Sequence, residues 1–235
     1  MKIIAHRGAS GHAPDNTIKA IQQALLSAAD GIEIDVYLNN STELVVTHER
    51  WLQRTTNGFG CVQSTPMDQI LTFDAGEGEK IPTLWQILTA VSGKCEVNIE
   101  LKGTNTARKT IDILHRATQN LNFSYEQFLI SSFNHHLLKE VHQLMPSLKL
   151  GALTASLPIH YAAFAEEVHA FAVCVDVDFI SPQFVNDAHS RHLKIYAYTV
   201  NEPEDIETLY KLRVDGIFTN YPNQAAETID SLMIG

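Results

Sequence analysis

The sequence has little cysteine: Cys61, Cys95 and Cys174 are odd in number, widely separated and include no CxxC pair. That argues against a disulfide framework and a zinc site, and suits a reducing compartment. Long apolar runs are missing as well, and none approaches the roughly 18 residues that a membrane span requires. The opening Met1-Lys2-Ile3-Ile4-Ala5-His6-Arg7-Gly8 places charge where a signal peptide needs unbroken apolar sequence. These absences lead us to expect a cytoplasmic protein without stable membrane association. Positive charge is scarce too, with 17 Lys and Arg against 27 Asp and Glu and a net charge of −10. Nucleic acid or an anionic membrane would be repelled unless a local patch overrode that field. An anionic small molecule would meet the same repulsion, so its site would need a bound metal or a few placed Arg and Lys. Low-complexity tracts, linkers and repeats longer than one βα unit are not seen.

What is present is ordinary globular composition, 45% hydrophobic and 19% charged over 235 residues. A (β/α)8 barrel typically takes about 250 residues in a single domain. Short β-rich runs are expected at 2–7, 31–37, 96–101, 128–133, 148–153, 172–177, 194–200 and 216–219. Amphipathic stretches separate them. In 16–28, Ile18, Ile21, Leu25 and Ala28 recur at helical spacing, and Asp15 and Asn16 are candidate caps. Further helices should open near Pro203 and Pro222. Eight strands with intervening helices predict an α/β fold, a (β/α)8 TIM barrel, over residues 1–235.

One connection breaks the rhythm. The cluster Asn39-Asn40-Ser41-Thr42 is too short for a parallel crossover and predicts a hairpin with Leu44-Val45-Val46. Residues 50–80 carry four glycines and little periodicity, so an insertion over about 38–80 should lie across the barrel mouth. The βα pattern resumes with Ile81-Pro82-Thr83-Leu84, opening a helix.

The chemistry concentrates in three places. Glu33-Ile34-Asp35 points two carboxylates to one face of an apolar strand. Inside a barrel, unpaired carboxylates are costly, and a cation would offset that cost. On its own the pair fits a solvent-facing edge strand equally well. Glu100, in Ile99-Glu100-Leu101-Lys102, adds a third carboxylate from the next barrel strand. Three oxygen ligands without cysteine favour a hard ion, Mg²⁺ or Ca²⁺. A hairpin turn centred near 41–42 would set His48 opposite Asp35, and His6 ends the first strand at the same rim. Two histidines beside carboxylates are candidates for general acid and base. Arg7 has the donor fork to grip a phosphate oxygen, with Gly8 and Gly11 allowing close backbone approach. Lys102 faces the same side as Glu100.

These segments, in this order, resemble the glycerophosphodiester phosphodiesterase family. The resemblance runs through Ala5-His6-Arg7-Gly8, Pro14-Asp15-Asn16-Thr17, Gly31 to Val36, Val45 to Glu49, Arg54-Thr55-Thr56, Ile81 to Leu84, Ile99 to Lys102, Ser132-Phe133, Tyr198 to Asn201 and Gly216 to Pro222. It implies a divalent metal on Glu33, Asp35 and Glu100, and catalytic roles for His6 and His48. It further implies substrate contacts from Arg7, Lys102, Phe133 and Tyr198, and hydrolysis of small-molecule glycerophosphodiesters to glycerol 3-phosphate and an alcohol. The sequence departs from the family's usual pattern at Asp15, Glu49, Tyr198 and Asn220, where Glu, Asp, Trp and Asp are common. Two rival readings are a phospholipase-type enzyme, which should carry an exposed apolar or basic rim, and a non-catalytic phosphoester-binding barrel, which should lack a ligand or a histidine.

Overall fold

The computed structural model describes residues 1–234. In chain order the elements are β1 (Lys2–His6), α1 (Ile18–Leu25), β2 (Gly31–Leu38), β3 (Leu44–Val46), α2 (Met67–Ile70), α3 (Leu84–Val91), β4 (Glu96–Leu101), α4 (Thr106–Asn120) and β5 (Phe128–Ser132). There follow α5 (His135–Leu144), β6 (Lys149–Thr154), α6 (Ala163–Glu166), β7 (Ala172–Asp176), α7 (Pro182–Ser190), β8 (Lys194–Tyr198), α8 (Pro203–Lys211), β9 (Gly216–Thr219) and α9 (Pro222–Ile234). The sheet order is β1-β9-β8-β7-β6-β5-β4-β2-β3, and β1 also pairs with β2. Eight parallel strands therefore close into a TIM barrel, with β3 held outside as the antiparallel arm of a hairpin. Among the described residues no helix is long and apolar enough to cross a membrane.

Alternation along the strands builds two cores. Ile32, Ile34 and Val36 of β2 join Ile87, Leu88 and Leu114 in the large core between barrel and helices. Inside the barrel, Ile4, Leu153, Ala172, Cys174, Tyr196 and Phe218 pack together. The intervening inward positions of β2 and β4 are left to polar side chains.

Three expectations need adjustment. The first helix is shorter than 16–28, and its cap is Thr17, whose hydroxyl accepts from the Ala20 amide at 3.2 Å. Asp15 and Asn16 do not cap it because both are engaged with charged groups at the barrel mouth. The hairpin pairs Val36 with Val46 and Leu38 with Leu44, so its centre is residue 41. Thr47, not His48, lies opposite Asp35, and its amide donates to the Asp35 carbonyl at 3.0 Å. Gly8 and Gly11, expected to allow close approach of a phosphate, are packed against protein where a Cβ would stand. A Cβ on Gly8, at φ +79°, would lie 2.7 Å from the backbone of Ala20 in α1, and one on Gly11 would lie 2.1 Å from the Tyr221 ring.

Beyond the hairpin, the insertion has a small core of its own, built from Tyr37, Val45, Leu52, Val62, Ile70 and Ile81. The buried Asn39 amide ties it down by donating to the carbonyls of Val62 and Thr65. The pattern then resumes as expected. Thr83 and Gln86 cap α3 reciprocally, side chain to backbone in both directions.

Candidate active site

Strand register brings the charged residues to one mouth. His6 is level with Glu33, and Asp35 is level with Glu100. Oxygen atoms of Glu33, Asp35 and Glu100 all lie within 4.8 Å of one another. Glu33 and Asp35 are buried, and Glu33 leaves Oε1 as a buried acceptor without a partner. Its Oε2 accepts from the Arg7 amide at 2.9 Å. Arg7, held at φ 57°, donates from Nη1 to Asp15 at 3.0 Å and brings Nε within 3.5 Å of Asp35. Lys102 lies 3.0 Å from Glu100 and 3.6 Å from Asp35. Asn16 clamps Asp35 twice: its amide donates to Oδ2 at 2.9 Å, and its oxygen accepts from the Asp35 amide at 3.2 Å.

This arrangement divides the three acids. Burial, then the charges of Asp35 and Glu100, push Glu33 well above the usual carboxylate range. Burial and Asp35 raise Glu100 to about 7. Burial also opposes ionisation of Asp35, yet Lys102, Arg7, His48 and the Asn16 amide together hold it below its ordinary value. Three convergent carboxyls, two of them reluctant to ionise and one with an unpartnered oxygen, fit a divalent cation. Such an ion replaces the missing positive charge and takes up oxygen donors.

The two histidines reach this cluster differently. His6 places Nε2 4.0 Å from Glu33 Oε2 and Nδ1 2.8 Å from Asn220 Oδ1. Burial, with Arg7 close by, lowers its pKa to about 4. His48 lies just past the hairpin, half-buried, with Nδ1 3.4 Å from Glu49. Burial lowers its pKa as well, and the positive charges of Arg7 and Lys102 work in the same direction against the pull of Asp35. Glu49 is also tied to Arg54 at 3.1 Å.

Phe133 and Tyr198 stand across the mouth. Their rings meet edge to face at 6.0 Å, and the Lys102 ammonium lies 6.0 Å from the Phe133 centroid. Tyr198 spans to β6, donating its hydroxyl to the Thr154 carbonyl at 2.9 Å. A small cavity below is lined by His6, Glu33, Asn98, Glu100, Leu153, Tyr198 and Phe218.

All nine residues singled out from the sequence thus surround the same end of the barrel. Four more were not anticipated in these positions. Asn98 points inward two residues before Glu100, so strand alternation alone could have found it. Asn16 and Asp15 were read as caps, because a polar pair before a helix carries that signal more strongly than any other. Asn220 lay within a recognised segment, but nothing local marked it as the partner of a residue 214 positions away.

A barrel that gathers three carboxyls, flanking cationic side chains and two histidines at its C-terminal mouth has the groups expected of an enzyme acting on phosphate esters. The sequence profile of the glycerophosphoryl diester phosphodiesterase family matches residues 6–224. A glycerophosphodiester phosphodiesterase of Caldanaerobacter subterraneus subsp. tengcongensis is 37% identical over 94% of both chains. One from Bacillus altitudinis is 33% identical over 96% of this chain and 97% of its own. An Oleispira antarctica phosphodiesterase, solved in complex with the product sn-glycerol-3-phosphate, superimposes with a TM-score of 0.90 at 29% identity, covering 98% and 97% of the two chains. The chain belongs to the glycerophosphoryl diester phosphodiesterase family and is an enzyme of that family.

Proposed function

We propose that this enzyme hydrolyses glycerophosphodiesters to glycerol 3-phosphate and an alcohol, holding Mg²⁺ or Ca²⁺ on Glu33, Asp35 and Glu100. The observation that carries this reading is the convergence of three carboxylates within 4.8 Å beside Arg7 and Lys102. The cation would supply Lewis-acid polarisation of a phosphoryl oxygen. Arg7 and Lys102 draw the anionic diester towards an acidic mouth and hold its non-bridging oxygens. One histidine accepts the proton of the attacking hydroxyl as its oxygen bonds to phosphorus; the attacker is water, or the substrate's own neighbouring hydroxyl, in which case a cyclic phosphate forms and a water molecule then opens it to glycerol 3-phosphate. The bond from phosphorus to the departing alcohol breaks, and the other histidine protonates that alkoxide. Phe133 and Tyr198 wall the opposite side and orient the organic part of the substrate. Asn98 and the barrel interior below close the site from bulk water. The three cysteines are free, which supports a cytoplasmic setting.

The test is incubation of the purified protein with glycerophosphocholine, with and without chelator, assayed for glycerol 3-phosphate. Turnover that chelation abolishes and added Mg²⁺ or Ca²⁺ restores supports the reading. Turnover that persists in metal-free protein removes the cation from it.

A further inference from the structure

The insertion meets the active site through one turn, Arg54-Thr55-Thr56. Arg54 bonds Glu49 at 3.1 Å, and Glu49 lies 3.4 Å from His48. Thr56 holds the turn itself: its hydroxyl donates to the Leu52 carbonyl at 2.7 Å and accepts from the Gly58 amide at 2.9 Å. Thr55, between them, is different. Its hydroxyl oxygen is buried and has no hydrogen-bond partner in the protein. Buried hydroxyls are rarely left in that condition.

Thr55 faces a small cavity that it shares with Asp15, Asn16, Thr47 and Thr56, closed by apolar residues of the hairpin and the insertion. The cavity has room for a single water molecule. Two of its polar walls are already engaged. Asn16 spends its side chain on Asp35, donating at 2.9 Å and accepting at 3.2 Å, and Thr56 is satisfied within its own turn. Asp15 is not saturated. It accepts from Arg7 Nη1 on Oδ2 at 3.0 Å, which leaves Oδ1 able to accept from another donor. Thr55 does not reach it directly. Two polar groups that line one water-sized space without touching are the partners that a buried water takes.

We propose that one buried water joins the Thr55 hydroxyl to the Asp15 carboxylate, and that Thr55 is thereby a positioning residue for Arg7. This role rests on the diester-hydrolase reading above, in which Arg7 holds the substrate's phosphate. Arg7 has two tethers, Asp15 at 3.0 Å from Nη1 and Asp35 at 3.5 Å from Nε. Asp35 is fixed within the carboxyl cluster by Asn16 and Lys102. Asp15 stands outside that cluster and is partly exposed, so its rotation needs a second contact. A water that donates to Asp15 while bonded to Thr55 sets that rotation, and with it the plane of the guanidinium fork. One turn of the insertion then braces both a histidine, through Arg54 and Glu49, and the arginine.

Kinetics and crystallography test this together. Thr55→Val keeps the side chain's shape and removes its hydroxyl. It should raise KM for glycerophosphocholine at least about threefold and leave kcat within about twofold, because Arg7 holds the phosphate before and during the reaction alike. Thr55→Ser keeps the hydroxyl and should stay within about 1.5-fold of wild type in both constants. In an Asp15→Ala background, Thr55→Val should change KM by less than about 1.5-fold, because its route to Arg7 is already cut. Added Mg²⁺ or Ca²⁺ should stabilise Thr55→Val as much as wild type. Crystals of the wild type should show one water within about 3.2 Å of both Thr55 Oγ1 and an Asp15 oxygen. Oxygen contacts shorter than about 2.6 Å would mark a cation in its place. That result, or no density between the two groups, overturns the inference whether or not any variant folds. An unchanged KM in Thr55→Val, an equal KM rise with Asp15→Ala, or a lost response to metal also overturns it and leaves the diesterase reading intact. No turnover by the wild type overturns that reading and the positioning role together.

Discussion

Asn220 Oδ1 sits 2.8 Å from His6 Nδ1, joining the end of the last strand to the end of the first. An amide oxygen only accepts, so in this orientation Nδ1 carries the proton and Nε2 presents a lone pair towards Glu33. Ser10 supports the pair: its hydroxyl lies 2.7 Å from the His6 carbonyl and 3.0 Å from Asn220 Oδ1. Asn201 holds the Asn220 backbone in turn, accepting from its amide at 2.9 Å. Asn220 thus keeps an acceptor on His6 Nδ1 but puts no carboxylate there.

That tautomer gives the two histidines different expected behaviour. In the mechanism proposed above, an Nε2 free to accept a proton makes His6 the base and His48 the acid. Replacing either with alanine should lower kcat on glycerophosphocholine by about 10²- to 10⁴-fold. A p-nitrophenyl diester, whose leaving group needs little protonation, should rescue His48→Ala and not His6→Ala. The opposite pattern of rescue would exchange the roles, and a loss below tenfold for both variants would remove acid–base catalysis from them.

Glu100→Gln takes one like charge out of the crowded acids and leaves Lys102 beside Asp35. Metal-free protein should melt at the same temperature as wild type or slightly above it, because repulsion with Asp35 is relieved. The stabilisation produced by added Mg²⁺ or Ca²⁺ should shrink at the same time. Thermal melts with and without metal check this. A sharp fall in the metal-free melting temperature would instead make Glu100 a structural partner of Lys102.

Gly11 packs against Tyr221, and its amide donates to the Asn220 carbonyl at 3.0 Å. Gly11→Ala drives a methyl into that ring, an overpacking that costs about 1–3 kcal/mol. The melting temperature should drop by roughly 2–10 °C. Because the displaced segment includes the partner of His6, kcat should fall even at temperatures where the variant remains folded. Circular dichroism melts and steady-state kinetics separate these two effects.

At the opposite end of the barrel, Asp215 bonds Lys194 at 2.7 Å, His189 at 2.9 Å and the Ile195 amide at 3.0 Å. Burial works against its ionisation, but Lys194, the amide and His189 outweigh it and hold the carboxyl below its ordinary 3.8. A depressed folded pKa means that the stabilisation is complete above about pH 4 and is lost as pH falls through the folded value. Asp215→Asn should therefore cost about 1–3 kcal/mol at neutral pH. The gap to wild type should narrow in denaturant melts run below about pH 4, and a gap independent of pH would mean that the charge is not what stabilises.

The barrel was legible because each strand is a short apolar run with inward polar positions at period two, as in Gly31–Leu38 and Glu96–Leu101. That same alternation announced Glu33, Asp35 and Glu100. Ends were less legible. Thr17 outcompeted Asp15 and Asn16 as a cap only because Arg7 and Asp35, distant or buried partners, had claimed them. The hairpin centre moved to residue 41 because Asn39 and Glu43 close the turn backbone to backbone, with the Asn39 amide donating to the Glu43 carbonyl at 2.8 Å. Nothing in a local window encodes a contact such as His6 with Asn220, which exists only once the first and last strands lie side by side.

That adjacency makes the seam between β1 and β9 more than a structural closure. The acids come from β2 and β4, which are neighbours in the sheet and meet across the 57 residues between Leu38 and Glu96 without the last strand. His6 receives its hydrogen-bond partner only from the end of β9. A barrel opened at this seam would keep its carboxyl cluster together while His6 lost its orientation. Catalysis would then report ring closure, and metal binding would report only the first half of the ring.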